Sequence, residues 1–105
     1  MIYELRIYRM HPGRMDAIVE RFRDHTLGLF PRHGIRVADF WLDAEGREAL
    51  YYVCEFDSPE AKAEAWARFA ADPDWIRERA RSEESGAIVE SVESYVMERA
   101  AFFEP

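Results

Sequence analysis

Cysteine and lysine are almost missing from this chain of 105 residues: Cys54 and Lys62 are the sole examples of each. A lone cysteine excludes an intrachain disulfide, and the absence of any apolar run near ~20 residues excludes a membrane-spanning helix. Met1 leads directly into a strand-like stretch carrying Glu4 and Arg6, which does not read as a secretory leader. A soluble, cytoplasmic protein is the expectation. Basic residues number 14 against 21 acidic ones, a net charge of -7. That balance argues against nucleic acid or an anionic membrane as partner, because phosphate binding needs clustered positive charge. Glycine and proline number five each, too few for a linker or low-complexity tract. A glycine-rich phosphate loop, a G-x-S-x-G elbow, a His-x-x-x-His pair and a cysteine pair are all lacking. No cofactor and no metal site are therefore expected.

What is present reads as one globular domain over residues 1–105, with 49% hydrophobic and 33% charged residues. From Ile2 to Met10, Tyr3, Leu5 and Ile7 alternate with Glu4, Arg6 and Tyr8, the period of a strand. After the turn His11-Pro12-Gly13, in which Gly13 can serve as helix N-cap, Met15, Ile18, Val19 and Phe22 form a one-sided helical stripe. Pro31 removes an N–H late in that helix and predicts a bend, and Gly34 is placed to end it in the left-handed conformation. Strands are predicted over Arg36–Leu42 and Glu48–Phe56, joined by a hairpin connection at Asp43–Arg47. Ser58-Pro59 starts a second helix, Asp72-Pro73 breaks it, and a last strand runs from about Val89 to Arg99. The order β-α-β-β-α-β predicts an α+β, ferredoxin-like fold with a four-stranded antiparallel sheet.

Two helices cover one face of such a sheet. The inner strands, with Phe40-Trp41-Leu42 and Tyr51-Tyr52-Val53-Cys54, are apolar on both faces. A water-facing side should instead alternate with polar residues. A homodimer with sheets packed face to face is the expected solution, its apolar tail Ala100–Phe103 reaching toward the other subunit.

Short motifs along the chain carry a resemblance. Tyr3-Glu4-Leu5-Arg6-Ile7-Tyr8 leading to Pro12-Gly13-Arg14, then His33-Gly34-Ile35-Arg36 with Phe40-Trp41, resemble the opening and second strand of the NIPSNAP family. Glu55-Phe56-Asp57-Ser58, Asp72-Pro73-Asp74-Trp75 and the terminal Phe103-Glu104-Pro105 are similar to that family in the same order. Cys54 and Asp39 depart from it, standing where Trp and Gly are usual. The resemblance implies a dimeric α+β barrel related to cofactor-free monooxygenases, lactone isomerases and stress-responsive barrels. It implies no particular reaction.

Six residues are candidates for a site that takes a small organic ligand between helices and sheet. His25 and Glu55 are the candidate catalytic groups, each able to move a proton. Tyr52 would donate a hydrogen bond and Trp41 would form an apolar wall. Arg6 and Tyr8, on one face of the first strand with Glu4, would clamp a carboxylate or enolate. Leu5 and Ile7 suit the helix-packed side, which would turn that polar trio toward the partner subunit. There a Glu4–Arg6 ion-pair network that fixes the register of the dimer is the plainer reading of the same residues. The enzyme reading is cofactor-independent oxygenation or isomerisation; the other reading is a non-catalytic interaction or sensing module.

Overall fold

The computed structural model describes residues 1–103, so Glu104 and Pro105 at the end of the last motif lie outside the described residues. Four strands, β1 (Ile2–Met10), β2 (Arg36–Leu42), β3 (Ala49–Phe56) and β4 (Val89–Met97), form one sheet in the order β2-β3-β1-β4. Every adjacent pair is antiparallel. Helices pack on one face, giving the ferredoxin-like α+β architecture expected from the element order. Among the described residues no helix is long and apolar enough to cross a membrane.

The first helical region is not uniform. α1 (Met15–Arg21) passes into a π-helical turn (Phe22–Thr26), then α2 (Leu27–Leu29), then a 3₁₀ turn (Phe30–His33). Thr26 explains the widened turn: its hydroxyl donates to the Arg21 carbonyl at 3.2 Å, competing with the regular backbone bond. Pro31 explains the tightened end, since it offers no N–H to continue the helix. Gly34 closes the region at φ 76°, as its position predicts. Gly13 is not the N-cap. It takes φ 79° to turn the chain, and Arg14 occupies the cap position without a side-chain bond.

The second helical region breaks where expected. Ser58 caps α3 (Pro59–Ala71) by accepting from the Ala61 N–H at 3.0 Å. Asp72 caps α4 (Pro73–Ser82) by accepting from the Asp74 N–H at 2.9 Å. In the hairpin, the Asp43 carboxylate accepts from the backbone of Glu45 and Arg47 and from the Tyr51 hydroxyl at 2.7 Å. The Tyr51 bond, followed by the backbone bonds, holds Asp43 down to about 2.

The core lies between the helices and one sheet face. Ile18, Phe22 and Phe30 meet Leu50, Tyr52, Cys54 and Phe56 there, and Phe69 of α3 closes one side. The opposite face carries Tyr3, Leu5 and Ile7 of β1, which pair across the sheet with Glu55, Val53 and Tyr51 of β3. Trp41, paired with Tyr51, is 48% exposed on this face. Tyr95 and Met97 of β4, paired with Leu5 and Tyr3, are also exposed. At the chain's end Phe102 is 93% exposed.

Candidate functional site

The strand period places Glu4, Arg6 and Tyr8 on one face, but it is the helix-covered face. Leu5 and Ile7 point away from the helices. This reverses the orientation expected from hydrophobicity alone, and the reason is visible in the bonding. The Glu4 carboxylate, 1% exposed, accepts from Trp66 Nε1 at 2.7 Å, Ser94 Oγ at 2.5 Å and Arg6 Nη1 at 3.0 Å. With both oxygens satisfied, a carboxylate can lie under a helix without the penalty of an unpaired charge. Burial pushes the Glu4 carboxyl up, but the Ser94 and Trp66 bonds and the Arg6 charge outweigh it and hold the group below its usual range.

Arg6 organises the rest of the cluster. Its Nε donates to the Tyr52 hydroxyl at 3.0 Å and its Nη2 to the Tyr8 hydroxyl at 3.4 Å, while the two phenols bond each other at 3.0 Å. The guanidinium lies 4.3 Å from the Trp66 ring. Burial disfavours the Arg6 charge, yet the neighbouring Tyr8, Tyr52 and Glu4 more than compensate and fix it as a cation. Tyr52 is driven well above the ordinary tyrosine value, first by burial and then by Tyr8, so it stays protonated. Cys54 on the same face is pushed up to about 12 by burial and by the Glu4 charge, which makes it an inert thiol.

Around this polar cluster the interior is aromatic. Phe40 stacks on Tyr52 at 5.1 Å, and Phe22 meets Tyr8, Tyr52 and Phe40 edge-on at 5.0–5.5 Å. The cluster is open on one side. The β4 residues opposite it, Val92 across from Tyr8 and Val96 across from Glu4, are exposed, and the Arg6 side chain is 19% exposed.

Of the six residues singled out from the sequence, Arg6, Tyr8 and Tyr52 come together. The other three do not join them. Glu55 and Trp41 lie on the opposite sheet face, Glu55 paired across strands with Tyr3 and Arg36. His25 sits in the π-helical turn, on the outer side of the helices, with Nε2 3.3 Å from Glu78 Oε2. It lines a surface cleft of about 260 Å³ shared with α4 rather than a space between helix and sheet. Trp66, Ser94 and Phe40 belong to the cluster and are not among those six. Trp66 and Ser94 are far from Glu4 in sequence, and only the strand register together with the packing of α3 brings them to it. Phe40 had a signal, the alternation that sets it opposite to Trp41 on β2. Among the described residues no group of three or more His, Cys, Asp or Glu could hold a metal ion.

Residues 3–104 match the NIPSNAP family. An uncharacterized NIPSNAP domain protein from Burkholderia xenovorans superposes with a TM-score of 0.83 at 25% identity, covering 100% of both chains. A NIPSNAP family protein with unknown function from Agrobacterium tumefaciens gives 0.84 at 25% identity, over 98% of this chain and 91% of that one. An antibiotic biosynthesis monooxygenase shares the fold alone: TM-score 0.64 at 12% identity, over 95% and 99% of the two chains. No curated protein matches the chain.

Proposed function

The chain belongs to the NIPSNAP family, and we propose that it binds a small organic acid with an apolar body on the helix side of its sheet, as a homodimer joined through the other side. Arg6 carries this reading. Its guanidinium has five N–H donors in a planar fork, of which three are engaged by Glu4, Tyr52 and Tyr8. Two remain on a side chain that keeps contact with solvent. A carboxylate or enolate oxygen could be held there, beside the Tyr8 hydroxyl, while the ligand's apolar part rests on Val92 and Val96.

The chemistry such a site favours is stabilisation of negative charge on oxygen. An enolate formed during isomerisation or cofactor-independent oxygenation would gain from both donors. Glu4 already accepts on both oxygens, so the geometry supports binding and charge stabilisation better than proton abstraction by this carboxylate. His25 and Glu55 would each need a ligand on a different surface.

The dimer rests on the uncovered sheet face. Leu5, Ile7, Val53, Trp41, Tyr95 and Met97 give it a large apolar share, with Glu55 and Glu93 among them, and an apolar patch left wet promotes association. A stable interface needs roughly 800 Å² from each partner, which is of the order that one face of a four-stranded sheet provides.

A titration of the full chain with small aromatic carboxylates, benzoate and phenylpyruvate among them, followed by ¹H–¹⁵N NMR, tests the binding reading. Saturable shifts at residues 6, 8, 92 and 96 are expected, weakened at least about tenfold in the E4Q/R6M double variant. A second reading, the non-catalytic interaction or sensing dimer, is favoured by the aromatic filling around Tyr52. It would be preferred if no acid in the panel produced a saturable shift while the protein remained dimeric.

A further inference from the structure

The cleft between α1 and α4 contains two arginines whose charge is poorly compensated. Arg21, 5% exposed, reaches Ser82 Oγ at 3.2 Å and Glu83 Oε1 at 3.4 Å through Nη1. That Glu83 oxygen is held more closely by Arg79 Nε, at 3.0 Å. Among the described residues Arg14 bonds only neutral acceptors, the Ser82 and Gly86 carbonyls at 3.2 and 3.0 Å. The Nε atoms of both arginines are buried without a partner among the described residues.

Carboxylates nearby do not correct this. Glu78, which also lines the cleft, is engaged by Arg77 at 3.4 Å, Arg81 at 3.7 Å and His25 at 3.3 Å. Glu20 stands exposed at the same cleft. Arg21 instead leans on the Trp75 ring, 5.1 Å from its guanidinium carbon, a contact that is no substitute for a counter-ion. Burying a cation with so little compensation is costly. Consistent with that cost, burial outweighs the pull of Glu83 and Tyr8 and lowers the Arg21 pKa.

We propose that this cleft binds a phosphate-bearing small molecule, its dianionic group held by Arg14 and Arg21 with Ser85 and Arg81 at the mouth. The match is one of charge and shape. Two forked cations with neutral or shared acceptors suit a doubly charged tetrahedral group better than a single carboxylate. The cleft, about 260 Å³ and open to solvent on one side, has room for a small metabolite around that group. Its residues belong to the helices and the segment after α4, so the proposal stands or falls independently of the Arg6 cluster.

Inorganic phosphate is the probe. The full chain is titrated with it at constant ionic strength against chloride, read by ¹H–¹⁵N NMR and by thermal unfolding. The expected result is a saturable shift at residues 14, 21, 82 and 85 with a rise in Tm. Binding weakens at least tenfold in R14Q and in R21Q and is unchanged in R36Q, which removes a distant exposed arginine. Should R21Q fail to fold, R14Q carries the test, because Arg14 is only half-buried. A response no larger than chloride's, or one undiminished in R14Q, would overturn the proposal.

Discussion

On β1, the side chains under the helices include Glu4, Arg6 and Tyr8, whereas those turned away are Tyr3, Leu5 and Ile7. β3 shows the more familiar division, with Leu50, Tyr52, Cys54 and Phe56 inside. Its outward residues are the apolar Val53, the amphipathic Tyr51 and the charged Glu55. The two faces of this sheet therefore differ less in hydrophobicity than in how their polar atoms are satisfied. Inside, a carboxylate, two phenols, an indole and a hydroxyl bond around a guanidinium that keeps two donors to spare among the described residues. Outside, Leu5, Val53, Trp41 and Met97 lie beside a smaller, exposed network in which Arg9 and Tyr95 both donate to Glu93.

Breaking the inner network should have the largest effect. E4A strands Arg6 near the core, and losing one partner of a buried pair typically costs about 3–5 kcal/mol. Urea denaturation should show a loss of that order, and E4L/R6M, which removes both charges, should recover much of it. A loss below about 1 kcal/mol in E4A would mean that the network is stabilised by something other than mutual pairing.

On the outer face the corresponding break is L5E, which places a charge between Val53 and Tyr95. Sedimentation should then change from a dimer to a folded 12.4 kDa monomer with an unaltered far-ultraviolet spectrum. A wild-type protein that is already monomeric at micromolar concentration would remove the contrast between the faces.

Tyr51 and Tyr52 sharpen the comparison, being neighbours on opposite faces. Y52F removes the acceptor of Arg6 Nε and the partner of the Tyr8 hydroxyl, and should cost about 1–3 kcal/mol. Y51F removes a bond to Asp43 at the hairpin. Its readout is local: the Asp43 pKa should rise from about 2 toward the normal carboxylate value in an NMR pH titration.

The smallest effect is set by pH. Glu4 has a folded pKa below its ordinary value of 4.5. Its contribution to stability is therefore fully present above about 4.5 and is lost as pH falls through the folded value. E4Q should lack that share of the acid-induced loss, so its stability should fall less than the wild type's below pH 4.5. Parallel curves for the two proteins would mean that Glu4 titrates alike in the folded and unfolded chains.

Much of the fold was legible because its signals are local. Ser58-Pro59, Asp72-Pro73 and Gly34 each act through bonds or dihedral preferences within a few residues, and each sits where it was expected. The π-helical turn was not foreseen, because it depends on which carbonyl the Thr26 hydroxyl selects. The site was half legible. Alternation correctly put Glu4, Arg6 and Tyr8 together, but periodicity gives the faces without saying which is covered. That choice depended on Trp66 and Ser94, which lie 62 and 90 residues from Glu4. Alternation along β3 sets Glu55 opposite Tyr52 in the sequence as in the structure, whereas His25 lies against α4 on the outer side of the helices, which no local signal marks.

The sharpest single measurement follows the Arg6 guanidinium itself, by arginine-selective ¹⁵Nε NMR during addition of an aromatic carboxylate. The account predicts that the Arg6 Nε–H signal moves saturably and ahead of the other arginines, because an anion held by the Nη1 and Nη2 donors left over among the described residues perturbs the whole guanidinium, its Tyr52-bonded Nε included. A signal that stays fixed while the acid binds elsewhere on the protein would contradict it.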